Sequence, residues 1–167
     1  MNIKRYIATI ILAIVLLLNF SCTDWLDVKP VDRMSEDQLY STEAGFRQAL
    51  NGIYVELNHA DLYGDELLVN TVEILAQRYK FSSMGTLTNQ YHLAEFDCTT
   101  DYAKKCGSRI WEKAYALIAN VNKLLKNADS HKDLFTGDSY DLITGEAYAL
   151  RAFLHFDLLR LFGPVYK

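Results

Sequence analysis

Residues 138–162 constrain the fold more than any other stretch of this 167-residue chain. Ile143, Ala147, Leu150, Leu154, Leu158 and Leu161 recur at steps of three and four, so they share one face of a helix. Leu142, Ala149, Phe153 and Phe156 line a second stripe. A helix apolar around most of its circumference must be covered by several neighbours. The helix is predicted to start near Asp138 or Ser139 and to stop at Gly163-Pro164. Three partners of this length leave part of it uncovered, so further sequence beyond Lys167 is expected.

The partners are legible upstream. Ser35-Glu36-Asp37-Gln38 is a capping-box pattern and predicts a short helical turn through Tyr40. Ser41 or Thr42 then caps a longer helix whose stripe is Phe46, Ala49, Leu50, Ile53, Tyr54 and Leu57. Gly52 inside it points to a close approach by a neighbour. After a break at 58–64, Asp65 is positioned to cap a second helix, with Leu68, Val72 and Leu75 inward, running to about Arg78. Residues 79–101 keep no period and read as a long exposed loop with room for a short strand. A third helix begins near Thr100 or Asp101, with Ile110, Ala114, Leu117, Val121 and Leu124 on one face and Trp111, Ile118 and Leu125 beside them. Asn127 to Gly137 is a polar connection. Nothing alternates with period two, so the class is all-α. The order predicts antiparallel helical hairpins stacked as a tetratricopeptide-like solenoid, although the strict repeat pattern is not matched.

The N-terminus is an address. Lys4 and Arg5 precede an apolar run from Tyr6 to Leu18, too short for a comfortable membrane span. Ser21-Cys22 follows, the small-residue-then-cysteine ending of a bacterial lipoprotein signal, with Asn19 where such signals carry an aliphatic residue. Residues 1–21 are therefore expected to be a lipoprotein signal peptide, Cys22 the lipid attachment point and 22–34 an acylated tether. Each buried methylene of the acyl chains contributes about 0.8 kcal/mol to membrane binding. Residues 35–167 form the helical domain. Cys98 and Cys106 are eight residues apart, a poor spacing for a bridge in regular backbone, and are expected as free thiols.

Chemistry is sparse. The formal net charge is −4 and no basic run exceeds Lys104-Lys105, which argues against nucleic acid. His59, His92, His131 and His155 have no zinc-site or HExxH spacing, so neither metal nor cofactor is expected. Glu146 and Arg151 read as a structural ion pair or cap, because a carboxylate held ionised beside arginine makes a poor general acid. His155 and Asp157, two residues apart on a helix, do not face each other. No enzyme is expected.

The stretch from Gly145 to Val165, containing Glu146, Arg151 and Gly163, resembles the signature helix of the SusD/RagB family, outer-membrane nutrient-binding lipoproteins. Cys22 to Val31 looks like the family's mature start, Thr42 to Leu57 its first long helix, and Trp111, Tyr115, Ile118 and Asn122 its Trp-x3-Tyr-x2-Ile-x3-Asn helix. The resemblance implies the N-terminal part of a longer, SusD-like helical protein. It implies a lipid anchor in the outer membrane at the cell surface, and a SusC-type TonB-dependent transporter as partner. The ligand implied is an oligosaccharide, or a peptide in the RagB branch; a scaffold that binds only protein stays open.

Sugar recognition needs aromatic faces against ring CH groups and polar side chains for hydroxyls. Arg78, Tyr79, Asn89, Tyr91 and His92 offer that mixture around the 79–101 loop. The alternative is that Tyr79 and Tyr91 only pin the loop. Trp111 and Tyr115 are expected in the core.

Overall fold

The computed structural model describes residues 6–7, 35–83 and 85–164. The chain divides into two units, Met1–Ser35 and Glu36–Lys167. In the first, Tyr6 and Ile7 are helical and exposed. The cleavage point, Cys22 and the tether lie outside the described residues. No helix among the described residues is long and apolar enough to cross a membrane.

The second unit is all-α, with no strand among the described residues. Its elements are α1 (Glu36–Leu39), α2 (Glu43–Leu57), α3 (Thr71–Leu75), α4 (Thr88–Ala94), α5 (Asp101–Ser130), a 3-10 turn (Lys132–Leu134) and α6 (Ser139–Phe162). Two predicted caps form. The Thr42 Oγ1 accepts from the Gly45 amide at 3.2 Å, and the Thr100 Oγ1 accepts from the Ala103 amide at 3.2 Å. Asp138 stands at the start of α6 without a side-chain cap bond. Gly45 lets α1 fold tightly against α2: a Cβ there would lie 1.6 Å from the Leu39 carbonyl oxygen.

Three long helices share the core. Tyr140 donates to Asp129 at one end of α5 and α6, Arg151 donates to Asn122 midway, and Trp111 meets Phe162 at the other end, so the pair is antiparallel. Glu43 accepts from Thr136, Tyr54 donates to Glu146 and Tyr63 donates to Asp157, so α2 runs parallel to α6. Phe46, Leu50, Ile53, Leu117, Val121, Leu124, Ile143, Ala147 and Leu154 fill the space between. Phe46 is fully buried, with the Tyr40 and Phe135 rings 4.9 and 4.8 Å away.

Four expectations change. The second helix shrinks to α3, one turn, because 58–70 is spent on successive turns. Leu62, Glu66 and Ile74 go inward, and Leu68 is exposed. The 79–101 loop holds α4 rather than a strand. Gly52 admits no close neighbour: nothing lies within 4 Å of a Cβ built there. Tyr54 sits at the edge of its stripe, 44 % exposed, because its hydroxyl reaches Glu146.

Glu43 ties the start of α2 to the start of α6. Hydrogen bonds from Ser139 and from the Thr136 hydroxyl and amide pull its carboxyl from 4.5 down to about 2. The unfolded chain takes up this proton near pH 4.5, whereas the folded chain resists it until about pH 2. The contribution is therefore complete above about pH 4.5 and is lost as pH falls toward 2. Glu43→Gln is expected to lower the thermal midpoint at pH 6, with the gap to wild type closing in a melting series down to pH 2.

Candidate functional site

A cleft of about 540 Å³ opens where α3, the α4–α5 junction, the first half of α5 and the end of α6 converge. Leu75, Leu93, Ile110, Leu161 and Phe162 supply apolar wall, and Lys104, Ser108 and Glu112 supply polar groups. Trp111 stands in the wall, 44 % exposed, with the Phe162 ring edge-on at 5.2 Å and Tyr115 at 4.7 Å. An apolar recess with few polar groups and an accessible indole suits an amphipathic ligand such as a sugar ring.

The cleft has a buried polar foundation. Glu66 is 1 % exposed and accepts from Arg109 Nη2 and from the Thr71 hydroxyl. Arg109 Nε lies 3.7 Å from Asp61, and its Nη2 lies 3.7 Å from the Cys106 sulfur. Thr71 belongs both to this cluster and to the cleft wall. The network fixes α3 against α5 where apolar packing is thin. Cys98 is exposed and Cys106 buried, both as free thiols. Among the described residues no cluster of metal-binding side chains forms.

None of the predicted ligand residues is among those that line the cleft; they lie in the segment after α3 and on α4. Arg78 pairs with Glu73 at 3.8 Å. The Tyr79 hydroxyl donates to the Val69 carbonyl at 3.0 Å, and its ring meets Phe81 edge-on at 5.9 Å. Asn89 is exposed on α4. Tyr91 and His92 adjoin on α4, rings 5.7 Å apart, with His92 3.7 Å from Asp97. The structure thus gathers these aromatics as two pairs, Tyr91 with His92 and Tyr79 with Phe81.

The signature residues link helices at the surface. Trp111 and Tyr115, expected in the core, are 44 % and 40 % exposed. They sit on the shoulder of α5 beside Ile110 and Ala114, which take the inward positions. Tyr115 faces the His155 ring at 6.2 Å. Glu146 and Arg151 do not pair with each other. Glu146 accepts from Tyr54 at 3.0 Å, whereas Arg151 donates to Asn122 at 2.8 Å and covers the Tyr148 ring at 5.0 Å. Helical geometry separates them, since residues five apart do not share a face. Gly163 ends α6, its amide donating to the Leu159 carbonyl at 2.8 Å, and a Cβ there would lie 2.3 Å from that oxygen. Lys104, Ser108 and Glu112 escaped the sequence reading. Their signal was a polar row at steps of four beside Trp111.

A family profile, SusD-like and described as "Starch-binding associating with outer membrane", matches residues 24–167. SusD-like protein P2 of Formosa agariphila is 27 % identical over 162 residues, which cover 97 % of this chain and 30 % of that protein. SusD-like protein P25 of the same organism is 27 % identical over 148 residues, 86 % of this chain and 28 % of that protein. The chain thus spans less than a third of the length of these curated relatives. No solved structure matches it.

Proposed function

The chain belongs to the SusD-like family, and on that premise we propose that it is a lipid-anchored outer-membrane protein that captures oligosaccharide at the cell surface for a SusC-type TonB-dependent transporter. The observation that carries the proposal is the match of a starch-binding, outer-membrane family across residues 24–167. The lipoprotein-type ending Ser21-Cys22 supports the anchor. The cleft supports the ligand class, because Trp111 offers an aromatic face and Lys104, Ser108 and Glu112 offer hydroxyl partners. Tyr79, Tyr91, His92, Asn89 and Arg78 extend the same chemistry along the adjoining loop and α4. The role in this reading is binding, with these polar groups as partners for hydroxyls.

Two measurements test this. Labelling with an alkyne palmitate is expected to mark the chain and to leave Cys22→Ser unmarked; an unlabelled wild type found free in the cytosol refutes the anchor. Isothermal titration with starch oligosaccharides is expected to show saturable binding. Trp111→Ala, Tyr79→Ala or Tyr91→Ala should weaken it about tenfold, equivalent to about 1.4 kcal/mol. Binding of peptides without binding of sugars would replace the oligosaccharide with a peptide. Binding of neither, with the transporter still retained, would leave a scaffold.

A further inference from the structure

The cleft lies on a seam. One wall belongs to α5 and the end of α6, the other to Thr71 and Leu75 of α3, Leu93 of α4 and Cys98. The second wall has a small core of its own. Ile74, Leu93 and Ala94 are buried together, with Leu75 and Phe81 beside them, against Tyr102 and Ala103 in the first turn of α5. None of these joins the larger cluster that α2, α5 and α6 share. Gln77 binds the two short helices to each other, its side-chain amide donating to the Ala94 carbonyl.

Glu66 joins this small body to the rest. The turns that carry Glu66 belong to the main core, where Leu62 is buried and the Tyr63 hydroxyl donates to Asp157 on α6. The Glu66 carboxylate is held by Arg109 of α5 and accepts from the Thr71 hydroxyl. Its backbone carbonyl accepts from the Val72 amide at 3.2 Å. Glu66 and Thr71 are 1 % and 6 % exposed, so the segment closes this seam to water by itself. A hydrogen bond to a buried carboxylate is stronger than one between neutral groups.

Both short helices end under backbone strain. Gln77 and Phe96 follow the caps of α3 and α4 with φ of 58° and 60°, the left-handed region where helices normally place glycine. The closing bonds form regardless, from the Arg78 amide to the Glu73 carbonyl at 3.0 Å and from the Asp97 amide to the His92 carbonyl at 2.9 Å. The Phe96 ring is 62 % exposed and contributes little packing against that strain. Strain in the closed form lowers the cost of opening. A body with so small an apolar core also opens at a lower free energy than the main core does.

We propose that α3 and α4 form a flap that opens from α5 as one body, latched by the Thr71–Glu66 hydrogen bond, and that this motion opens and closes the cleft. A molecule touching both walls binds the closed form alone and so holds the flap shut. That last step rests on the oligosaccharide reading of the cleft.

Amide hydrogen exchange in the full chain tests the flap. The bonded amides of Ile74, Ala76 and Arg78 at α3 and of Tyr91, Glu95 and Asp97 at α4 are expected to share one opening constant. It should exceed that of Leu117 to Leu125 at least a hundredfold. Thr71→Val removes the hydroxyl at nearly constant volume and should raise the constant about tenfold in both helices, and Thr71→Ser should restore it. Phe96→Gly relieves strain and should lower it about threefold in both. Saturating maltohexaose should lower it tenfold or more. Absent protection, unequal constants for α3 and α4, opening only together with the main core, or a Thr71→Val effect confined to α3 overturns the flap. Maltohexaose that binds in titration without slowing the exchange overturns the flap's hold on the cleft. If no sugar binds in titration, the oligosaccharide reading fails instead, and exchange without sugar still decides the flap.

Discussion

Phe46→Ala is expected to lower the unfolding free energy by about 3–5 kcal/mol. The ring is fully buried, between Tyr40 and Phe135, with the His131 ring 6.4 Å away. It sits where α1, α2, the α5 terminus and the 3-10 turn meet, so no single element can shift to fill the space. The loss combines the transfer energy of the ring with the cavity left behind. Stability of a domain is about 5–15 kcal/mol in total, so the loss takes from about a fifth of it to all of it. Urea titration should show a lower midpoint with the slope unchanged. Phe46→Leu retains most of the volume and should cost about a third as much.

Arg109→Met is expected to cost about 3 kcal/mol for a different reason. Glu66 is buried and would keep Thr71 as its remaining side-chain partner. Breaking a buried pair strands a charge, at a cost of about 3–5 kcal/mol. The guanidinium is 41 % exposed, so water compensates part of the loss and the lower end applies. Adding Glu66→Gln should recover most of it, because the amide needs no counter-charge. Urea titrations of the two variants and the double variant isolate the coupling between them. Equal losses in Arg109→Met and the double variant would show that the guanidinium acts through packing alone.

The long helices were legible because their stripes hold the helical period and because Thr42 and Thr100 announce two of the starts. The 58–100 stretch was opaque for physical reasons. Its main buried tie is polar, and nothing local to Glu66 announces an arginine 43 residues away. α4 starts at Thr88 with Leu87 before it and no side-chain cap. Its Thr-Asn-Gln-Tyr-His run offers no apolar period, and contact of Leu93 and Ala94 with Ile74 holds it in place. Trp111 and Tyr115 were misplaced because an aromatic at helical spacing carries the same pattern whether it ends just inside a helix pair or on its shoulder. The predicted ligand residues have the right chemistry, yet none of them lines the recess, whose apolar wall comes from several helices and whose polar groups include a row on α5.

The parallel course of α2 and α6 has a consequence for biosynthesis. The ties Tyr54–Glu146 and Tyr63–Asp157 span 92 and 94 residues, so α2 leaves the ribosome long before α6 exists. Until α6 emerges, the nascent polypeptide has no complete core to close upon.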